Sequence, residues 1–174
     1  REPWRMTLAF LHSIKEPAKN VLAAWGKNAP CAPDVALLQA MLEKNIRCPK
    51  ATSCGRLFDA VFGLLGAEAG GVAQEYEGQA AICLETLMHA VQVSNPNEAH
   101  VYTVPLRYSG GQHILDTVEL FQQIFADWKR GAPPELVSWR FHVSLTKGLV
   151  SLAKAGAMDT GVKTVALSGG VLQN

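Results

Sequence analysis

Asp59 sits between two glycines. In the stretch "SCGRLFDAVFGLLG", Gly55, Asp59 and Gly63 fall at i, i+4 and i+8, on one side of an expected helix. Phe58, Phe62 and Leu65 fall on another side. A glycine inside a helix costs about 1 kcal/mol relative to alanine, so Gly63 needs a reason. Two glycines flanking a carboxylate leave room for a ligand, and Asp59 could accept hydrogen bonds from its hydroxyls. The plainer alternative is a solvated aspartate on a helix that packs closely through its glycines. The second stretch with chemical potential is "VALSGGVLQN" at the end of the chain. Here an apolar run, Val162 to Leu167, enters Ser168-Gly169-Gly170. A strand-to-helix turn of this kind points unpaired backbone N–H groups outward, a ready phosphate site. Gly169 and Gly170 carry no Cβ to block approach, and Asn174 adds an amide in the coming turn. A tight turn with no ligand reads equally from the same letters. No G-K-[ST] follows, so this is not a P-loop.

Other reactive side chains lack context. Ser168 is not inside G-x-S-x-G. Cys54 lies near Arg56 and a helix start, which can lower a thiol pKa, but a small buried cysteine is the simpler reading. His142 follows Phe141 on a long apolar-striped helix and reads as a packing residue. The histidines His12, His89, His100, His113 and His142 contain no i, i+3 or i+4 pair, so no helical metal clip exists. The cysteines Cys31, Cys48, Cys54 and Cys83 contain no C-x-x-C and read as reduced thiols of a cytoplasmic protein.

The elements that must carry these residues follow from periodicity. Of the 174 residues, 48% are hydrophobic and 18% charged, which supports a core and excludes global disorder. The formal net charge is +1 and there is no basic block, so neither nucleic acid nor a membrane surface is an expected partner. No apolar run approaches the ~20 residues that span a bilayer. The chain starts on Arg1 without a Met or an apolar leader and reads as a piece of a longer protein. Pro3 suits a first helical turn, with Trp4, Leu8 and Leu11 on one face. Glu16 to Pro33 reads as a loop around a short helix. Asp34 is expected to cap a helix that buries Val35, Leu38, Met41 and Leu42. Ser53 is expected to cap the Asp59 helix, which ends near Gly66 and the Gly70-Gly71 pair. Ala80, Leu84, Leu87, Met88 and Val91 form a further stripe, and "SNPNEA" a turn. "VYTVPL" reads as a strand that Pro105 ends or confines to an edge. Asp116 and Glu119 form a capping-box pattern before a helix burying Val118, Phe121, Ile124, Phe125 and Trp128. A long helix is expected from Pro134 to about Ala155, closed by Gly156, followed by a terminal strand over Val162–Leu167. The sum is a helix-rich α/β chain with few strands of its own.

Four blocks, "REPWRMTLAFL", "ATSCGRLFDAVFGLLG", "YEGQAAICLE" and "VALSGGVLQN", together resemble the C-terminal part of the HypF family, the carbamoyltransferases of nickel–iron hydrogenase maturation. The resemblance covers the whole chain. It implies one partial domain over residues 1–174, a lobe similar to the tRNA threonylcarbamoyltransferases, with the actin/sugar-kinase-like ATPase (ASKHA) fold. Those proteins show a G-x-x-F-D helix, a Y-x-G-G turn and a strand ending in G-G-V-x-x-N. The matching residues are Gly55 to Asp59, Tyr76-Glu77-Gly78-Gln79, and Gly169-Gly170-Val171-Leu172-Gln173-Asn174. By that likeness Asp59 takes nucleoside hydroxyls, Gly78 lines the same pocket, and Gly169, Gly170 and Asn174 hold the nucleotide, with Gly55 and Ser168 as further pocket residues. Gln79 stands where the relatives have a second glycine, which weakens the match at Gly78.

The resemblance also implies the chemistry. A YrdC-like domain makes carbamoyl-adenylate from carbamoyl phosphate and ATP. The threonylcarbamoyltransferase-like domain passes the carbamoyl group to the C-terminal Cys of HypE, and dehydration elsewhere yields the cyanide ligand of the hydrogenase iron. The family's divalent metal is held by an H-x-x-x-H pair and a further Asp. The resemblance places these before Arg1 and beyond Asn174, so no metal ligand is expected in this chain, no residue of it is assigned a catalytic role, and the chain by itself is expected to be inactive. Two other readings share these residues: a tRNA threonylcarbamoyladenosine transferase, and a scaffold lobe with an empty pocket.

Overall fold

A computed structural model of the chain describes residues 2–66, 73–91 and 101–170. It divides into two compact units, Arg1–Leu84 and Glu85–Asn174.

The first unit is helical. Helix α1 (Pro3–Ser13) carries Pro3 in its first turn and buries Trp4, Leu8 and Leu11, as the pattern requires. The short helix α2 (Lys19–Trp25) follows, then a single 3-10 turn over Gly26–Asn28. Helix α3 (Ala32–Glu43) starts earlier than expected. Cys31 takes the N-cap position and Pro33 the first turn, so Asp34 is not the cap. Its charge instead lies in the first turn, near the positive end of the helix dipole. Val35 and Leu38 are buried, whereas Met41 and Leu42 are only half-buried.

Helix α4 (Cys54–Leu65) is the centre of this unit. Leu57, Phe58 and every residue from Ala60 to Leu65 are buried. The expected one-sided stripe is therefore too narrow: burial runs round most of the helix and leaves only its first half, with Arg56 and Asp59, a polar flank. Ser53 holds the N-cap position, but its side chain makes no capping hydrogen bond. Gly63 has its reason in packing. A Cβ there would run into the Thr7 hydroxyl oxygen and come within 3.2 Å of the Pro3 carbonyl carbon. The contact is fastened by polar bonds: the Thr7 hydroxyl lies 3.0 Å from the Ala60 carbonyl, and Trp25 Nε1 donates to the Gly63 carbonyl at 2.7 Å. The Gly63→Ala variant is expected to lose about 1–3 kcal/mol by overpacking, more than the ~1 kcal/mol that alanine returns in helix propensity. Urea unfolding reads this loss; a stabilised variant would contradict the close α1–α4 crossing.

Helix α5 (Gln79–His89) crosses the boundary between the units in sequence and buries Ala80 and Leu84. The Gly70-Gly71 pair and "SNPNEA" lie outside the described residues.

In the second unit the chain from Val101 to Pro105 is not a strand. Side chains hold it instead. The Gln123 amide accepts from Thr103 N at 2.9 Å and donates to Thr103 O at 2.8 Å, as a neighbouring strand would. The Ser144 hydroxyl accepts from Tyr102 N at 2.8 Å. Strand bonding begins only after Pro105, in a hairpin of β1 (Leu106–Ser109) and β2 (Gln112–Leu115), paired antiparallel with Ser109 opposite Gln112. Gly110 and Gly111 form its two-residue turn, with φ of +59° and +78°. Two successive positive φ values suit glycine and set the primed turn that matches strand twist. The "SGG" of this hairpin carries that signal in the sequence, and sequence reasoning passed over it.

Helix α6 (Thr117–Lys129) is capped by Asp116, whose Oδ1 accepts from Glu119 N at 3.1 Å. Phe121, Ile124 and Phe125 are buried as expected, but Val118 is exposed and Trp128 half-buried; Leu120 and Asp127 are buried beside them. Helix α7 (Pro134–Thr160) runs through Gly156 and ends at Gly161, not near Ala155. Val137, Phe141 and Leu145 are buried, and Gly148 lets Val104 and Leu115 approach the helix backbone. The expected terminal strand is absent: Val162 to Leu167 is exposed and carries no strand bonding. A strand exists only through its neighbours, and the sheet among the described residues is the two-stranded hairpin. Among the described residues no helix is long and apolar enough to cross a membrane.

Candidate functional site

Asp59 lies in the N-terminal half of α4, on the flank that also carries Arg56. Its side chain is 17% exposed, on a helix otherwise walled by apolar residues. Both carboxylate oxygens have donors. Arg56 Nη1 reaches Oδ2 at 2.9 Å from one helical turn away. Gln74 Nε2 reaches Oδ1 at 2.9 Å from a segment fifteen residues on. Nothing in the spacing of Gln74 marks a side chain that returns to α4, so the sequence gives no sign of it.

That bond brings two of the expected site segments together. Gln74 leads into Glu75, Tyr76, Glu77 and Gly78, and the backbone N of Glu75 donates to Gln79 Oε1 at 2.7 Å. The bond fastens this turn onto the start of α5. Gly78 has φ +83° and open space around its Cβ position. A side chain would be strained there whatever the room, so glycine answers to the backbone conformation. Gln79, the departure from the expected Y-x-G-G motif, therefore has a local role, since its side chain clips the turn.

Gly55 lies half-buried in the first turn of α4, and a Cβ added to it would meet only Ser53 Oγ at 3.5 Å. The room foreseen beside Asp59 thus remains on the Gly55 side, whereas at Gly63 it is filled by α1. In the second unit Ser168, Gly169 and Gly170 are all exposed, with nothing within 4 Å of a Cβ on either glycine. Gly169 has φ +102°. Asn174 lies outside the described residues.

The remaining candidates resolve plainly. Burial raises the Cys54 thiol pKa, opposite to the shift a reactive thiolate needs. Burial lowers the His142 pKa, and its Nδ1 lies 2.8 Å from the Ser138 carbonyl; this is the geometry of a packed neutral ring. Among the described residues no three His, Cys, Asp or Glu side chains gather as they would around a metal ion.

Comparison with known proteins gives this geometry a setting. The family model described as "Carbamoyltransferase, Kae1-like Domain, second subdomain" matches residues 1–174. A carbamoyltransferase HypF homolog of Cupriavidus necator is 38% identical over 100% of the chain and 43% of its own length. The carbamoyltransferase HypF of Rhizobium leguminosarum is 33% identical over 100% of the chain and 20% of its own length. A probable carbamoyltransferase HypF of Methanocaldococcus jannaschii is 30% identical over 99% of the chain and 21% of its own length. The crystal structure of full-length HypF in the phosphate- and nucleotide-bound form superposes with a TM-score of 0.79 at 24% identity, covering 100% of this chain and 21% of that one. The fold is therefore the helix-rich α/β fold of that Kae1-like region. The chain spans less than half the length of these relatives. With the match running from the first residue to the last, the chain belongs to the carbamoyltransferase HypF family, in the second subdomain of its Kae1-like domain.

Proposed function

We propose that this chain is the nucleotide-anchoring part of a carbamoyltransferase acting in the cytoplasm. The transferred group comes from carbamoyl-adenylate, made from carbamoyl phosphate and ATP, and goes to the C-terminal Cys thiolate of HypE during synthesis of the hydrogenase cyanide ligand. The observation that carries the reading is the Gln74–Asp59 bond, which draws the Tyr76–Gly78 turn to a half-buried carboxylate on α4. Family membership over the whole chain supports it, and so does the nucleotide-bound state of the structural neighbour.

In this reading Asp59 accepts from the nucleoside hydroxyls and Gly78 keeps the turn beside it clear of side chains. The family likeness further assigns Gly169, Gly170 and Asn174 to the phosphate, and Gly55 and Ser168 as additional binding residues. The transfer itself balances simply. The thiolate sulfur attacks the carbamoyl carbon, a C–S bond forms, the C–O bond to the phosphate breaks, and AMP leaves. Holding the adenylate by its nucleoside fixes where that carbon sits, which converts an encounter into a positioned reaction. The divalent metal of the family finds no donor set among the described residues, and anchoring needs none.

Mass spectrometry of HypE after incubation with carbamoyl phosphate and ATP tests the reading. Full-length HypF carrying this chain is expected to add one carbamoyl group to the HypE C-terminal Cys, and the isolated chain none. Transfer by the isolated chain would refute the anchoring-only role. Modification of tRNA in place of HypE would instead establish the threonylcarbamoyladenosine reading.

A further inference from the structure

We propose that Gln74 is a positioning residue for nucleoside recognition: it holds the Asp59 carboxylate so that each oxygen keeps one acceptor site for one hydroxyl of a vicinal diol. The proposal rests on the nucleotide reading above and goes beyond it. An ionised carboxylate has two oxygens and about four lone-pair sites. Arg56 takes one site on Oδ2 and Gln74 takes one on Oδ1. Among the described residues one site per oxygen remains, which is the number a ribose 2′,3′-diol needs.

The two holders differ in kind. Arg56 sits on α4 itself and its side chain is 55% exposed, so it follows Asp59 without restraining it from outside the helix. Gln74 comes from a separate segment, and the Glu75–Gln79 bond ties that segment to α5. An aspartate χ2 torsion is broad and poorly fixed by its own rotamer preference. A donor on a second, anchored segment is what stops that rotation. The same bond makes the Gly78 turn and the carboxylate one assembly, so a nucleoside would meet them already arranged.

The test compares ATP with 2′-deoxy-ATP, which lacks one hydroxyl of the diol, by calorimetric titration of the protein. The variant Gln74→Met keeps the side chain's length and removes its amide. It is expected to bind ATP about fivefold more weakly, the worth of one ordinary hydrogen bond. The loss for 2′-deoxy-ATP should be smaller, so the ratio between the two ligands falls, while the unfolding midpoint stays where it was. Equal losses for both ligands would overturn the positioning role. So would unchanged or tighter ATP binding, the latter showing that the amide merely occupies the hydroxyl's place. The parallel variant Asp59→Ala separates the two levels. If it binds ATP like the unmodified protein, or if the unmodified protein binds no ATP, the nucleotide reading itself falls. If Asp59→Ala loses binding and Gln74→Met does not, only the positioning role falls.

Discussion

The Asp59→Ala variant is expected to bind ATP at least about a hundredfold more weakly than the unmodified protein. Two hydrogen bonds from ribose hydroxyls to a carboxylate are each worth about 1.5–3 kcal/mol, and the truncation removes both. The loss should not come from unfolding. The Arg56 side chain is 55% exposed and regains water when its partner goes; exposed ion pairs of this kind contribute about 0–1 kcal/mol. The variant should therefore unfold at nearly the same urea concentration while its calorimetric titration flattens. Asp59→Asn should fall between, since one oxygen remains to accept. Full ATP affinity in Asp59→Ala would remove this residue from the site.

The largest stability effect is expected at Asp127, which has no part in the proposed ligand contacts. Its side chain is 5% exposed, and it gathers three donors: the Tyr102 hydroxyl at 2.7 Å, Arg140 Nη1 at 2.7 Å, and the Arg130 guanidinium. Burial alone would raise its pKa, but the bonds from Tyr102, Arg130 and Arg140 outweigh that and hold it below the ordinary carboxylate value. On the Tyr102 side, burial and the nearby carboxylate push the phenol pKa upward, so it stays a donor. Removing the acceptor strands a guanidinium whose side chain is only 19% exposed. Asp127→Ala should then cost the second unit about 3–5 kcal/mol. Replacing Asp127 and Arg140 together by apolar residues should recover most of it, because the penalty is the unpaired charge. A double variant no better than the single one would show that the unpaired charge is not the cause. The pH dependence has a definite sign. A carboxylate whose pKa is lower folded than unfolded stabilises the fold above its unfolded value and ceases to do so as pH falls through its folded value. Stability of this unit should therefore drop on acidification below about pH 4, and Asp127→Asn should blunt the drop.

What could be read from the letters depended on whether a signal was local. Trp4, Leu8 and Leu11 announced α1 because helical burial repeats every turn. Asp116 announced its own capping bond because cap and partner lie three residues apart. The Gly110-Gly111 turn and the start of α3 were local signals passed over, but elsewhere a distant group decided. Val101–Pro105 has strand letters, but its backbone is bonded by the side chains of Gln123 and Ser144. Val162–Leu167 has strand letters too and no neighbour among the described residues. At Gly63 the letters left both a ligand clearing and close helix packing open, and the position of Pro3 and Thr7 decides for the packing.

The site divides in the same way. Asp59 stood out from its glycine neighbours on one helix, whereas Gly78 entered only through a family motif. The residue that joins them, Gln74, was invisible, because it acts fifteen residues from its partner. The motif's departure at Gln79 looked like a weakness of the match. In the structure it is the acceptor that clips the turn.

A crystal structure of the protein with ATP bound tests the central claim most directly. Both ribose hydroxyls are expected at hydrogen-bond distance, about 2.7 Å, from the two oxygens of Asp59, with the Gln74 amide still on Oδ1. A nucleotide bound with its ribose away from Asp59 would contradict the claim.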